Sequence, residues 1–254
     1  MLAFYGSLSR YEVDFLPALI LLAVFGVLGL EDTLAEHRFW RNLVRCAWVL
    51  LLIFSTAFTL LAGVAHRDML ADNEVGGELL QEGRYAEAIA PLESALWVEP
   101  DYAHTHVNLG FALDRSGRTA EAAEQFQLAL RIEPDFPSAR YGLGMAWLKA
   151  GRPGDAALQF EKLAGTAPED PAVRTYWGLA LARAGRPADA LAHFQEAARL
   201  NPRDADARYF CGMTFLALGR PAEATQQFRQ ALQIRPDHAG ALKALAGIAK
   251  GTVP

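Results

Sequence analysis

From residue 69 to residue 238 the sequence repeats itself every 34 residues, and this restricts the possible folds more than any other feature. Glycine recurs at Gly76, Gly110, Gly144, Gly178 and Gly212, and again at Gly83, Gly117, Gly151, Gly185 and Gly219. Alanine recurs at Ala88, Ala122, Ala156, Ala190 and Ala224, and proline at Pro100, Pro134, Pro168, Pro202 and Pro236. Four unbroken columns over five copies exclude coincidence. A period of this length marks a helical solenoid, in which each unit covers its apolar face only by stacking on a neighbour.

The columns resemble the tetratricopeptide repeat (TPR) family, whose pattern runs W-x2-L-G-x2-Y, A-x3-F, A, P. With residue 69 as position 1, the L-G pair becomes Val75-Gly76, Leu109-Gly110, Leu143-Gly144, Trp177-Gly178 and Cys211-Gly212. The A-x3-F step is Ala88/Leu92, Ala122/Phe126, Ala156/Phe160, Ala190/Phe194 and Ala224/Phe228. Repeats therefore span 69–102, 103–136, 137–170, 171–204 and 205–238. Residues 239–250, with Leu242, Leu245 and Ile248 on a helical stripe and Lys243 and Lys250 beside it, read as a capping helix, and 251–254 as a tail. The resemblance implies an all-α fold: antiparallel pairs of helices A and B in a right-handed superhelix.

Each column has a physical reason. A glycine inside helix A costs about 1 kcal/mol against alanine, which is tolerable where a neighbouring helix approaches closely. The second glycine is placed to end helix A in the left-handed conformation. An arginine always follows it, then in three repeats Pro153, Pro187 or Pro221, suited to open helix B. The acids Glu87, Glu121, Asp155, Asp189 and Glu223 fall in the first turn of helix B, where they complement the helix dipole.

Upstream of the repeats the composition changes. Residues 12–30 and 46–65 form two apolar stretches, and 46–65 carries no charge over the length a helix needs to cross hydrocarbon. The first is no signal peptide: Arg10 is offset by Glu12 and Asp14, and Glu31-Asp32 stands where a small-residue cleavage site would. The expectation is a two-helix transmembrane hairpin in residues 1–68, joined by the loop 31–45, followed by a TPR domain at 69–250. Arg38, Arg41 and Arg45 place that loop in the cytoplasm by the positive-inside rule, leaving the repeats on the outer side. Only residues 66–68 separate the second span from the first repeat.

The segment RYEVDFLP, residues 10–17, resembles the last segments of polytopic bacterial glycosyltransferase-like membrane proteins, which use lipid-linked sugar donors. That resemblance implies a second reading, in which the chain is the TPR-bearing C-terminal portion of such an enzyme. The plainer reading is that Arg10 and Tyr11 anchor a helix end at the headgroups. Either way the setting is a bacterial inner membrane, crossed more than once, with the repeats on the periplasmic side.

Little supports chemistry in the chain itself. Cys46 at the membrane boundary and Cys211 at a core position of the fifth repeat make no disulfide framework. His104 and His106 are two apart, so on a helix they diverge, and no third ligand completes a metal site. There is no phosphate-binding glycine loop and no nucleophile motif, so no cofactor, metal, small-molecule substrate or catalytic residue is expected. Residues 69–254 hold 19 basic and 23 acidic side chains with no basic stripe, which argues against nucleic acid.

The TPR resemblance implies instead a concave groove lined by helix A positions 2, 5, 9 and 12, where peptides or partner helices bind. The set used by carboxylate-clamp TPRs (lysine, arginine and asparagine) is absent. The groove is expected to present Phe111, Tyr141, Met145, Leu148, Thr175, Leu179, Tyr209, Met213 and Leu216. Such a face either binds partners, aided by adaptable methionines, or packs between adjacent A helices. Position 4, usually apolar, is Arg140, Arg174 and Arg208 in three successive repeats. These form a basic ladder toward an acidic partner or lipid headgroups, or else they lay their stems on the core and pair locally. The function expected is a membrane-anchored scaffold that binds protein or peptide partners in a membrane complex.

Overall fold

The computed structural model describes residues 38–251, which form eleven helices and no strand. They are α1 (Arg38–Gln81), α2 (Tyr85–Val98), α3 (Ala103–Arg115), α4 (Thr119–Ile132), α5 (Pro137–Lys149), α6 (Pro153–Thr166), α7 (Pro171–Arg183), α8 (Pro187–Leu200), α9 (Ala205–Ala217), α10 (Pro221–Ile234) and α11 (Ala239–Ala249). From α3 onward every second helix starts 34 residues after the last. The apolar stretch 12–30, the segment 10–17 and the hairpin they would build lie outside the described residues. Two compact units divide within α3, one ending at Thr105 and the other beginning at His106.

In the first unit, α1 is a single helix of 44 residues. It starts eight residues before Cys46, so the expected loop 31–45 is already helical from Arg38. It also runs without a break through His66-Arg67-Asp68, where a short linker was expected. Nothing there interrupts a helix: neither glycine nor proline stands between Gly63 and Gly76. The two ends of α1 behave differently. Beyond residue 66 it packs on α2: Met69 is fully buried, Gly76 faces Leu92, and Ser94 donates a hydrogen bond to Asp72 at 2.6 Å. Before residue 66 it is uncovered, and Val49, Leu50, Ile53, Phe54, Leu60, Leu61 and Val64 are all exposed. This is the one helix among the described residues long and apolar enough to cross a membrane, and its apolar 18-residue stretch has a mean hydropathy of 2.2.

In the second unit the glycine of helix A meets the phenylalanine of helix B in the same repeat. A Cβ added at Gly110 would stand 2.7 Å from the Phe126 ring, one at Gly144 2.7 Å from Phe160, and one at Gly212 2.5 Å from Phe228. These rings are the largest side chains of the core and are fully buried. Phe126 is also approached from the next repeat, since a Cβ on Gly142 would come within 2.4 Å of it. Helix A ends as its glycine requires: Gly117 has φ of +85°, and the amide of Arg118 bonds back to the carbonyl of Leu113 at 2.9 Å.

The arginine after that glycine pairs with the first-turn acid of helix B in all five repeats. Arg84–Glu87, Arg118–Glu121, Arg152–Asp155, Arg186–Asp189 and Arg220–Glu223 lie at 2.5–2.8 Å. The bond from Arg118 holds the Glu121 carboxyl below its ordinary range, as Arg84 does for Glu87. Arg152 and Arg220 also lie over the Trp147 and Phe215 rings, at 5.0 and 4.7 Å. These exposed pairs orient the turn more than they stabilise it.

Gly144→Ala should therefore destabilise the fold by about 1–3 kcal/mol through overpacking, although alanine is the better helix former. Gly165→Ala, in the last turn of α6 with open space around it, should be neutral or stabilise by up to about 1 kcal/mol. Urea melts of the two variants check the opposite signs.

Candidate functional site

Positions 5 and 9 of the A helices lie on one helical face, since three- and four-residue steps return to the same side. In the second unit, position 9 supplies Phe111, Met145, Leu179 and Met213. The first three are half-buried and Met213 is 42% exposed. The A helices are neighbours along this row: Lys149 of α5 pairs with Asp114 of α3 at 2.5 Å, and Arg183 of α7 donates to the carbonyl of Leu148 on α5 at 3.4 Å.

Position 5 is more committed to packing. The Tyr141 ring meets Tyr176 edge-on at 5.3 Å and Phe160 at 6.2 Å. Burial and the hydrogen bond with Tyr176 push the Tyr141 phenol well above its ordinary range. Tyr209 lies 5.8 Å from Phe228 and 4.9 Å from His238. Thr175 spends its hydroxyl on the carbonyl of Pro171, at 2.9 Å. At position 12, Leu148 and Leu216 are buried among the core residues. Their expected place on the open face is corrected here: each is only 7% exposed. Tyr176, at position 6, joins the cluster without having been expected; a column that reads Asn108, Gly142, Tyr176 and Phe210 carries no signal for it.

The arginines at position 4 divide. Arg140 is buried, and its guanidinium donates to the carbonyl of Pro134, with Asp135 at 3.5 Å. Arg174 makes the same bond one repeat later, to Pro168 at 3.1 Å, and lies 5.8 Å from the Trp177 ring. Both fasten the proline turn that precedes their own helix. Arg208 is half-buried with no bond of this kind. Of the two readings of the ladder, local pairing describes Arg140 and Arg174.

The histidines do not converge. His106 is buried with Nδ1 2.7 Å from Gln125, whereas His104 is exposed beside the Tyr102 ring. Among the described residues no group of three or more His, Cys, Asp or Glu could hold a metal ion. Cys211 is buried, and burial pushes its thiol up to about 12, so it is unreactive at neutral pH. At the far end Asp206 accepts from Arg235 at 2.7 Å and His238 at 3.0 Å, and its carboxyl is held low mainly by the arginine. His238 Nδ1 accepts from the amide of Ala241, so Nε2 carries the proton given to Asp206. These groups cap α11.

Family profiles described as tetratricopeptide repeat match residues 109–171 and 177–239, and a further one matches 79–127. Together they cover more than half of the chain. The chain belongs to the tetratricopeptide repeat family. Among solved structures it is similar to YrrB, described as a TPR protein with an unusual peptide-binding site. The identity is 25%, the TM-score 0.65, and the match covers 75% of this chain and 98% of that one. MamA from Desulfovibrio magneticus RS-1 matches at 20% identity and TM-score 0.64, over 67% of this chain and 97% of its own. MamA of AMB-1 matches at 24% identity and TM-score 0.58, over 66% and 98%. The MamA likenesses concern the fold. No curated protein matches the sequence.

As a TPR protein the chain is of a kind that serves as a protein-interaction scaffold. What its A helices offer is a hydrophobic row edged by Arg115, Lys149 and Arg183 at position 13. A cleft of about 300 Å³ lies between α6 and α8, lined also by Trp177 and Leu181 of α7. Trp177, half-buried where Leu109 and Leu143 of the preceding repeats are buried, there stacks on His193 at 3.8 Å. Burial and the nearby Arg174 lower the His193 pKa.

Arg140→Met should cost about 1–3 kcal/mol by leaving the Pro134 carbonyl without its donor, and Arg174→Met less, because that site is more exposed. Thermal melts read this. Unchanged melts for both would return the ladder to the surface role.

Proposed function

We propose that the chain is a membrane-anchored TPR scaffold, residues 1–68 forming the anchor and 69–250 the binding domain, and that it takes a protein or peptide partner on the groove face of its A helices. The observation that carries the reading is the position 9 row. Four large apolar side chains on four successive A helices stay partly open above a core already complete beneath them. Methionine at two of the four suits contact with more than one sequence. YrrB, similar over most of this chain, binds peptide, which supports peptide as the ligand class. The groove residues proposed are Phe111, Met145, Leu179 and Met213, with Tyr141, Thr175 and Tyr209 at the edge.

The uncovered helix over 46–65 supports the anchor. Twenty residues at a rise of about 1.5 Å per residue match a hydrocarbon core of roughly 30 Å. An apolar surface of that extent on a protein in water marks a membrane or a partner. With residues 12–30 as a second span, the arginine-bearing segment 38–45 faces the cytoplasm of a bacterial cell and the repeats face the periplasm.

A Met145→Glu/Met213→Glu double variant should lose a peptide partner selected on the native protein, by tenfold or more in Kd, while its melting temperature stays within a few degrees of native. Undiminished binding would remove this row from the site. Protease added to cells with an opened outer membrane should digest the repeats, and digestion only after lysis would invert the topology.

A further inference from the structure

The first repeat departs from the other four at one surface position. In the 34-residue register Trp97 stands where Arg131, Gly165, Arg199 and Gln233 stand. Those four residues suit the end of a helix in water. Trp97 does not: it is 80% exposed, with Val98 beside it at 37%. Among the described residues nothing draws the indole inward.

Its level along α1 is fixed by two contacts. Helix α2 runs back antiparallel along α1, first with Ser94 on Asp72 at 2.6 Å and then with Glu99 on His66 Nδ1. His66 is the first polar side chain after the apolar segment 46–65. The end of α2 therefore descends to where hydrocarbon gives way to headgroups. Trp97, two residues before Glu99, lies about 3 Å farther from that boundary at the helical rise of ~1.5 Å per residue. The headgroup layer is roughly 5–7 Å thick on each side of the core. That layer is where tryptophan is enriched in membrane proteins, its ring body among the acyl ends and its N–H among polar groups.

We propose that the end of α2, with Trp97 as its anchor, is a second membrane contact, seating the first repeat in the headgroup layer beside the spanning helix. The inference rests on the anchored reading. The ligand is the lipid interface itself and not an anionic headgroup, because the turn that follows carries Glu99 and Asp101 and no cation. The contact should accordingly form in neutral phosphatidylcholine as well as in bilayers containing anionic lipid.

The test uses the full chain in phosphatidylcholine vesicles, with Cys46→Ser and the buried Cys211 left in place. A nitroxide is attached in turn at Leu60→Cys, Val98→Cys and Ala90→Cys, all at exposed positions and all with Trp97 in place. Collisions with oxygen and with an aqueous nickel chelate report depth. The expected result is a label in hydrocarbon at 60, one in water at 90, and one at 98 with nickel accessibility several-fold below that at 90. If 60 is in hydrocarbon and 98 matches 90, the second contact is wrong and the anchor stands. If 60 is in water, the anchor and the contact fall together.

Discussion

The close approach of helix A to helix B, glycine against an aromatic ring, is the contact on which the rest of the solenoid depends. At Gly110, Gly144, Gly178 and Gly212 an added Cβ would lie 2.5–2.7 Å from a phenylalanine of the same repeat. The backbone penalty of each glycine is about 1 kcal/mol. Burying a ring of 150–250 Å² returns roughly 4–6 kcal/mol as an upper estimate at ~25 cal/mol per Å². Packing therefore outweighs propensity at every repeat. Because Phe126 also touches Gly142 of the next repeat, one ring joins a helix pair internally and to its neighbour.

The period of the sequence was enough to read the all-helical repeat fold and the helix A–helix B contact, because each leaves a residue-specific column. What a column carries is direction around a helix axis. How deep a side chain at that direction becomes buried depends on the next helix, and the sequence leaves that unwritten. Leu148 and Met145 illustrate the difference: three residues apart on α5, the first is buried and the second only half-buried. The arginines at position 4 are similar. A cation at an apolar position suggests either outcome until Pro134 and Pro168 are seen to aim their carbonyls at Arg140 and Arg174. The short linker expected at residues 66–68 is helical for a related reason. Hydropathy changes sharply there, but hydropathy does not end a helix; glycine, proline or a cap does, and none is present.

The division between groove and core follows the same logic. Tyr141 and Tyr209 face the partner side in sequence, yet each ring already has aromatic neighbours within about 6 Å. Their truncation would open cavities as well as remove contact surface, so loss of binding on replacing them would not identify a site. The methionines do not have this double role to the same degree. Met213 is 42% exposed, and an unbranched thioether can change rotamer with little disturbance to its neighbours.

A continuous α1 has a further consequence on the anchored reading. A flexible linker would let the repeats tumble over the bilayer, whereas a helix fixes both height and azimuth. Each residue along α1 advances about 1.5 Å and turns 100°. The three residues between Ala65 and Met69 thus set which side of the first repeat meets the lipid. Met69 is buried against the repeat while Leu60 and Leu61, less than three turns earlier, are uncovered. The change from lipid-facing to protein-facing packing occurs within one rigid rod. Height and facing then cannot be altered separately. One residue inserted at 66–68 would raise the end of α2 by less than the thickness of the headgroup layer, but would swing Trp97 more than a quarter turn around the axis that holds it there.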